Sequence, residues 1–300
     1  MTSIGIDLGG HTISAAVVFE EAGNVSLLSR ITVPTPYGRI LSDVTESITQ
    51  MISDLSKDRD IEFVGIGVPG FLDKERRKIV KFINFAGLEN IEFALLIEES
   101  LTSKGIKIPI FLENDANCAA LGEGEYGVAI GMTDYAVLTL GTGIGSGVVL
   151  NGKLVTGAHG LASEFGHAAL APVVHVCGCG GIGHFETVAS ADWIEKAAKE
   201  VGLPSDFKVL WQRREEEKVR KILNPALDAL ARGIATLVVT IDPEIIVLSG
   251  GMSRAEGLVE EIEKLALPYL PSPFRQYLKI VVSKFRQDAA LLGTGLLRNS

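Results

Sequence analysis

Three segments of the chain combine a short strand pattern with a glycine turn at the end of the strand. These turns lie at Gly9-Gly10, within residues 141–147 and at Gly250-Gly251. Glycine has no Cβ, so a turn of this kind lets backbone N–H groups come close to a phosphate. One such turn is typical of an ordinary hairpin, whereas three in a single chain favour a nucleotide site.

The chain also contains a weak internal repeat. Residues 6–10 and 138–142 both run from an apolar strand into a glycine turn, and a second apolar strand follows each turn. Two unrelated hairpins would give the same pattern. Elsewhere strands alternate with helices, of which residues 42–55, with Ser42 as N-cap, and residues 224–241 are the clearest. This alternation predicts an α/β fold, and 300 residues favour two domains.

Composition excludes several classes of function. The 37 acidic residues outnumber the 28 basic ones, and a net charge of −9 disfavours a nucleic-acid partner. Three cysteines are too few for a disulfide framework and fit a reducing compartment. The N-terminus lacks the pattern of a signal peptide, and the longest apolar stretch, residues 234–241, is far shorter than the ~20 residues of a membrane span. We therefore expect a cytoplasmic protein with no membrane partner.

Six motifs, taken in order, resemble a known family. Three of them are similar to the two phosphate motifs and the adenosine motif of the actin–hexokinase–Hsp70 superfamily: Asp7-Leu8-Gly9-Gly10, Leu140-Gly141-Thr142-Gly143-Ile144-Gly145 and Ser249-Gly250-Gly251. Three others narrow the resemblance to the ROK family of sugar kinases and sugar-responsive repressors: Glu113-Asn114-Asp115-Ala116-Asn117, Glu164-Phe165-Gly166-His167 and Cys177-Gly178-Cys179-Gly180-Gly181-Ile182-Gly183-His184-Phe185-Glu186.

The resemblance implies a two-domain actin-like ATPase (ribonuclease H-like) fold. Each domain would be a mixed sheet flanked by helices, with the active-site cleft between the domains. The first domain would comprise residues 1–116 and a C-terminal helix within 288–300. The second, residues 117–287, would carry a zinc-binding loop and the dimer contacts of a homodimer or homotetramer.

The implied activity is that of an ATP- and Mg²⁺-dependent hexose kinase, with glucokinase as the leading interpretation. Transfer of the γ-phosphate to the sugar 6-hydroxyl needs one group that accepts the hydroxyl proton. Kinases for N-acetylmannosamine, fructose or allose are alternatives. Repressors of the family carry a helix-turn-helix domain ahead of the first strand, and Asp7 comes too early to leave room for one. A sugar-binding regulator without a DNA-binding domain is the remote alternative.

The resemblance assigns Asp115 as the general base, at the end of an apolar strand and flanked by two amides. The competing interpretation is that Asp115 only caps the helix that begins at Ala116. The implied sugar contacts are Gly70, Asn84, Asn114, Asp115, Glu164, His167 and Glu186. Asn84 is the loosest of these matches and would otherwise be an ordinary turn asparagine.

The implied ATP contacts follow the glycine turns. They are Asp7, Gly9, Gly10, Thr12, Thr139, Gly141, Thr142, Gly143, Gly250 and Gly251. Asp7 would act near Mg²⁺, with an ordinary turn aspartate as the alternative. The family has Thr directly after the first two glycines, whereas this chain has His11 followed by Thr12. Either His11 contacts a phosphate or Thr12 replaces the family's threonine, and His11 is left unassigned.

Cysteines and histidines cluster near residue 180. Zinc takes Cys and His ligands in tetrahedral geometry, and similar ROK proteins hold a structural zinc with one His and three Cys. His184 stands at the position of the third cysteine, so we predict a zinc site of His167, Cys177, Cys179 and His184. His175 competes as fourth ligand, and loss of the metal is the alternative. His167 would then direct its other ring nitrogen to the sugar, while Cys118 has the context of an ordinary buried cysteine.

Overall fold

The structure, a computed structural model, describes residues 1–21, 23–36, 38, 40–83, 85, 88–171, 175–285 and 288–298. Within these residues, strands and helices alternate. The strands are β1 (Thr2–Leu8), β2 (Thr12–Glu21), β3 (Asn24–Pro34), β4 (Val64–Val68), β5 (Gly70–Leu72), β6 (Ile79–Phe82), β7 (Glu89–Ile91), β8 (Ile110–Asn114), β9 (Tyr135–Leu140), β10 (Ile144–Leu150), β11 (Lys153–Leu154), β12 (Ile245–Ser249) and β13 (Ile280–Val282).

The helices lie between and after these strands. They are α1 (Leu41–Ser56), α2 (Phe93–Ser103), α3 (Asp115–Glu125), α4 (Glu186–Ala189), α5 (Ala191–Glu200), α6 (Phe207–Gln212), α7 (Glu217–Ile241), α8 (Leu258–Ala266), α9 (Ser272–Arg275) and α10 (Asp288–Thr294). Short 3₁₀ turns occupy Phe165–His167, Met252–Arg254 and Leu267–Tyr269. The predicted α/β class, with mixed sheets and flanking helices, is confirmed.

The chain packs as two compact units. The first comprises Met1–Ile130, Leu154–Ser163 and Asp288–Ser300, and the second comprises Gly131–Lys153 and Glu164–Gln287. In the first unit, α10 packs against α3, β1 and β4, so the C-terminal helix belongs with the N-terminal sheet. The division into domains at residue 116 stays a prediction.

Each unit is built on one five-stranded sheet, and the two sheets share a strand pattern. The first has the order β3-β2-β1-β4-β8, with β2 antiparallel to β1, and β1, β4 and β8 mutually parallel. The second has the order β11-β10-β9-β12-β13, with β10 antiparallel to β9, and β9, β12 and β13 mutually parallel. The repeat found in the sequence therefore corresponds to β1–β2 and β9–β10 of two equivalent sheets. A smaller sheet, β5-β6-β7, completes the first unit.

Each unit has its own hydrophobic core. In the first, α1 turns one face to the sheet, because its apolar side chains recur at helical spacing and are buried: Val44, Ile48, Met51, Ile52 and Leu55. In the second, α7 is the central helix of a cluster that also contains β9, β12 and α8 residues. By length and composition α7 could cross a membrane, but 56% of its most apolar window is buried within the protein, which is typical of a core helix.

Two details of the predicted helices are wrong. α1 begins at Leu41 with Ile40 in the N-cap position and no side-chain cap, so Ser42 lies inside the helix. α7 begins at Glu217, seven residues before the predicted start, and continues through Pro225. Apolar side chains on both sides of Pro225, including Val219 and Leu230, are buried in one core, so packing maintains the helix across the proline.

Candidate active site

Three parallel strands of the first sheet bring predicted site residues to one edge. In register, Asp7 on β1 pairs with Gly67 on β4, and Val68 pairs with Asn114 on β8. The carboxyl ends of β1, β4 and β8 therefore lie side by side, and Asp115 follows β8 directly. The structure brings Asp7, Asn114 and Asp115 together at this edge.

Asn114, rather than Asp115, caps helix α3. The Asn114 side-chain oxygen accepts hydrogen bonds from the backbone N–H groups of Ala116 (2.9 Å) and Asn117 (3.2 Å). Asp115 is the first residue of the helix, and its carboxylate accepts from Ala116 N at 2.9 Å. This position puts the carboxylate at the N-terminal end of the helix, where the backbone N–H groups point towards it.

Gly70 belongs to the same edge through its backbone. The side-chain amide of Asn114 donates to the Gly70 carbonyl at 3.3 Å. Gly70 has a φ of +155°, and a Cβ at this position would clash with the Lys81 carbonyl on β6. Only glycine fits here, so Gly70 fixes the path of the chain next to Asn114.

The carboxyl group of Asp7 titrates abnormally. Burial, followed by the nearby charge of Asp115, raises the pKa of Asp7 from its ordinary value of 3.8 to about 7. Arg30 offsets part of this increase. Two carboxyl groups close enough to affect each other in this way form an arrangement that a cation would stabilise.

The first glycine turn joins β1 to β2. Gly9 N donates to the Thr12 carbonyl at 2.9 Å, and a Cβ on Gly9 would lie only 2.8 Å from that oxygen. Thr35 directly follows β3, and its hydroxyl donates to the Gly9 carbonyl at 2.8 Å and so anchors the turn. Gly10 follows within the turn, and His11 and Thr12 are both exposed.

A buried ion pair behind this edge was missed from the sequence. Arg76 donates through Nε to Glu113 at 2.9 Å and through Nη1 to the Gly160 carbonyl at 2.8 Å. The other Glu113 oxygen accepts from Asn114 N (2.7 Å) and from the Asn117 side chain (3.0 Å). Glu113 and Asn117 stood in the quoted motif, but Arg76 lies in a charged stretch that gave no signal.

In the second unit, two glycine turns meet at the corresponding sheet edge. Ser249 on β12 pairs with Thr139 on β9, so the turns that follow these strands are neighbours. Gly250 has a φ of +85°, and a Cβ there would clash with the Leu140 carbonyl. Gly251 follows it, with open space where its Cβ would be. The structure therefore places the second phosphate motif beside the adenosine motif.

The turn of residues 141–145 is called the glycine turn below. It is stabilised by a hydrogen bond within the turn and by one to a side chain outside it. Gly141 N donates to the Gly143 carbonyl at 3.0 Å, and Gly145 N donates to the Thr139 hydroxyl at 3.1 Å. Thr142, at its tip, is exposed.

Three predicted sugar ligands lie next to the glycine turn. Glu164 precedes the 3₁₀ turn that ends in His167, and Gly166 between them packs on the Ile144 carbonyl so closely that a Cβ would clash. The carboxylate of Glu186 accepts from Ile144 N at 2.8 Å. Asn84, the remaining predicted ligand, lies outside the described residues.

The four predicted metal ligands form a compact cluster. One ligand atom from each of His167, Cys177, Cys179 and His184 lies within 4.8 Å of the others. His167 Nδ1 is 3.6 Å from Cys177 Sγ, and His184 Nδ1 is 3.2 Å from Cys179 Sγ. Tetrahedral zinc, with Zn–S of about 2.3 Å and Zn–N of about 2.0 Å, separates sulfur and nitrogen ligands by roughly 3.5 Å. The donor set and the spacing both fit zinc.

The surroundings of the cluster bear on its ligand set. Burial lowers the pKa of His167, which keeps the imidazole in the neutral form that binds metals. Burial raises the pKa of Cys177, so its thiol would lose the proton when a metal ion binds. His175, the competing ligand, stacks against Trp193 with 5.0 Å between ring centroids. This contact favours His184 as the fourth ligand. Cys118 is fully buried in α3, as its sequence context suggested.

Comparison with known proteins gives one family across the chain. A sequence model of the ROK family matches residues 3–300. A glucokinase from Thermotoga maritima is 36% identical, covering 97% of this chain and 95% of that protein. An N-acetylmannosamine kinase from Salmonella arizonae is 30% identical, covering 99% of this chain and 98% of that protein.

A solved structure extends the likeness to the fold. The crystal structure of a ROK family glucokinase from Streptomyces griseus, in complex with glucose and AMPPNP, superposes with a TM-score of 0.85 at 28% identity. The match covers all of both chains. The predicted resemblance and the predicted fold are both confirmed.

Proposed function

Because this chain belongs to the ROK family, we propose that it is an ATP-dependent hexose kinase that phosphorylates the 6-hydroxyl of glucose. Its family and the kinase activity named for its relatives both make it an ATP-dependent sugar phosphotransferase. The choice of glucose is supported by the 36% identity to the T. maritima glucokinase. Phosphorylation of N-acetylmannosamine is the second candidate, supported by the 30% identity to an N-acetylmannosamine kinase. Fructose and allose stay open.

Asp115 is the proposed general base. The observation that carries this assignment is its position at the carboxyl end of parallel strand β8, beside the ends of β4 and β1. Asn114 supplies the N-cap of α3, so capping does not account for an aspartate at position 115. Its carboxylate would accept the proton of the sugar hydroxyl as that oxygen attacks the γ-phosphate.

Several further side chains would bind the sugar. Carboxylates and amides can each form two hydrogen bonds with neighbouring hydroxyls, which suits a polyhydroxylated ligand. The proposed sugar contacts are Gly70, Asn84, Asn114, Asp115, Glu164, His167 and Glu186.

The glycine turns would bind ATP through backbone N–H groups. Asp7, with its raised pKa beside Asp115, would face Mg²⁺, which neutralises phosphate charge when it is bound. The proposed nucleotide contacts are Asp7, Gly9, Gly10, Thr12, Thr139, Gly141, Thr142, Gly143, Gly250 and Gly251.

A structural zinc ion is part of the proposal. His167, Cys177, Cys179 and His184 would hold it, and the ion would stiffen the loop that carries His167 and leads to Glu186. Nδ1 of His167 faces Cys177, so Nε2 is the nitrogen that would meet the sugar. Elemental analysis of purified protein should give one zinc per chain.

The cellular setting and assembly are also proposals. Cys118, Cys177 and Cys179 all lie in the described part of the chain and form no disulfide there, and ATP is the phosphate donor, so we propose a cytoplasmic protein. A homodimer or homotetramer is proposed from the family resemblance, and light scattering after size-exclusion chromatography would measure it.

The test of function is a coupled ADP-release assay with MgATP. We expect the highest kcat/KM for glucose among glucose, mannose, fructose, N-acetylmannosamine, N-acetylglucosamine and allose. If the protein phosphorylates none of these sugars, the kinase assignment is ruled out. A clear preference for N-acetylmannosamine would replace glucose with the second candidate.

Asp115 is tested by Asp115→Ala and Asp115→Asn. Loss of a general base lowers kcat by a factor of about 10²–10⁴, whereas the far-UV spectrum and thermal midpoint should show a folded protein. Glu125→Gln, at the exposed other end of α3, is the matched control and should keep wild-type turnover. Normal turnover in the Asp115 variants would mean that another group takes the proton.

A further inference from the structure

Glu186 connects the cluster of proposed zinc ligands to the glycine turn. It is the first residue of α4 and follows the last metal ligand by two positions. One carboxylate oxygen, Oε2, accepts from Ile144 N at 2.8 Å. The other, Oε1, lies 3.4 Å from Cys177 Sγ. The Glu186 side chain therefore contacts both the glycine turn and one of the proposed zinc ligands.

The contact with the turn is close enough to constrain its shape. A Cβ added to Gly143 would clash with Glu186 Oε2, so the turn passes directly over the carboxylate. On the other side of the turn, Thr139 accepts from Gly145 N at 3.1 Å. Glu186 and Thr139 thus hold two N–H groups at the start of β10, leaving Thr142 exposed at the tip.

We propose that Glu186 is a positioning residue for the nucleotide-binding turn, in addition to its proposed contact with the sugar. Its carboxylate would hold the glycine turn in the conformation that accepts the phosphates of ATP. The inference rests on the proposed function, because it assumes that this turn binds nucleotide. It also requires that the reach of the side chain to Ile144 matters and that its negative charge does not.

Two variants separate reach from charge. Glu186→Asp keeps the charge but withdraws the carboxylate by one methylene, about 1.5 Å, from Ile144 N. Glu186→Gln keeps the length and one acceptor oxygen while it removes the charge. The measurement is the dissociation constant of MgADP by calorimetry without sugar, so that a role confined to sugar binding cannot affect it.

We expect Glu186→Asp to bind MgADP about tenfold more weakly than wild type, the scale of one lost hydrogen bond. Glu186→Gln should bind within about threefold of wild type. Glu164→Asp shortens another proposed sugar ligand and is the matched control, which should weaken glucose binding while keeping wild-type MgADP affinity. Zinc content and the thermal midpoint of each variant show that it is folded.

The outcomes are distinct. Wild-type MgADP affinity in Glu186→Asp, or a Glu186→Gln variant as weak as Glu186→Asp, would overturn the positioning role and leave the kinase assignment intact. Absence of MgADP binding to the wild-type protein would overturn the proposed function and this inference with it.

Discussion

Asp7 is the penultimate residue of β1, a strand whose other residues are mostly buried, and its own exposure to water is only partial. The raised pKa, about 7 against an ordinary 3.8, means that the folded protein holds this proton over a pH range in which the unfolded chain has lost it. A group of this kind stabilises the folded state at low pH, and that contribution is lost as the pH rises through the two values.

The first prediction concerns this pH dependence. The free energy of unfolding of Asp7→Asn, measured relative to wild type, should increase from pH 3.8 to about 7 and be constant above that range. Urea unfolding at a series of pH values measures it. Asp115→Asn removes the neighbouring charge and should narrow the range from its upper end. A difference independent of pH would show that Asp7 titrates normally.

The second prediction concerns Arg76 and Glu113. Their side chains are only 18% and 7% exposed, so removing one partner strands a buried charge. Arg76→Met should lower the free energy of unfolding by about 3 kcal/mol, and the double variant with Glu113→Gln should recover part of the loss. Arg298→Met breaks an exposed pair with Glu62 and should cost less than about 1 kcal/mol. If Arg76→Met and Arg298→Met lowered the free energy of unfolding equally, the Arg76–Glu113 pair would not be behaving as a buried ion pair.

These residues also show how far sequence reasoning reached. The motif identified Asn114 and Asp115, and the order of the strands explains why they meet Asp7. It did not reveal that Asn114 is the cap, because aspartate and asparagine have similar preferences there. The role of Arg76 could not be predicted from the sequence, because its contacts with Glu113 and Gly160 join segments 37 and 84 positions apart in the chain.

At the scale of elements, the backbones of α10 and α3 come into close contact because glycines lie where the two helices meet. A Cβ on Gly293 would clash with the Cys118 carbonyl, and one on Gly122 with the Ala289 carbonyl. Both backbones therefore pack without side chains between them, and α10 can lie on β1 and β4 as well. This contact explains why the end of the chain is part of the first unit.

The third prediction tests this contact. Gly293→Ala would gain helix propensity at an exposed site, but here the methyl group forces the helices apart, and overpacking of this kind costs about 1–3 kcal/mol. The thermal midpoint should fall by several degrees. Glu125→Ala, on the exposed side of α3, should keep the midpoint within about 1 °C. An unchanged midpoint in Gly293→Ala would mean that the helices can separate without loss.

Element positions were largely predictable, and the errors have physical causes. Strands ending in glycine turns were located correctly because a buried strand and a turn have distinct residue preferences. The start of α7 was missed because Pro225 is compatible with the first turn of a helix, and only tertiary packing carries the helix through it. Ser42 has the preference of a cap, yet Ile40 takes that position.

At the scale of the whole molecule, one sheet design is used twice. Each unit has an antiparallel pair joined by a glycine turn, followed by parallel strands whose carboxyl ends carry the candidate residues. The first unit supplies carboxylates at that edge, and the second supplies two glycine turns and the cluster of proposed zinc ligands. Among the described residues, each unit buries a hydrophobic cluster of its own, so each has its own basis for stability.

The fourth prediction follows from these separate cores. The proposed zinc ligands all lie within residues 167–184 of the second unit, so chelation should release a loop of that unit and leave the first sheet intact. Hydrogen exchange after treatment with a zinc chelator should speed up in residues 164–186 and at the Ile144 N–H that Glu186 accepts, with no change in β1, β4 and β8. Cys177→Ser should reproduce the chelated pattern without chelator. Faster exchange in β1, β4 and β8 would show that the metal stabilises the molecule as a whole, whereas no change in residues 164–186 would remove zinc from the proposal.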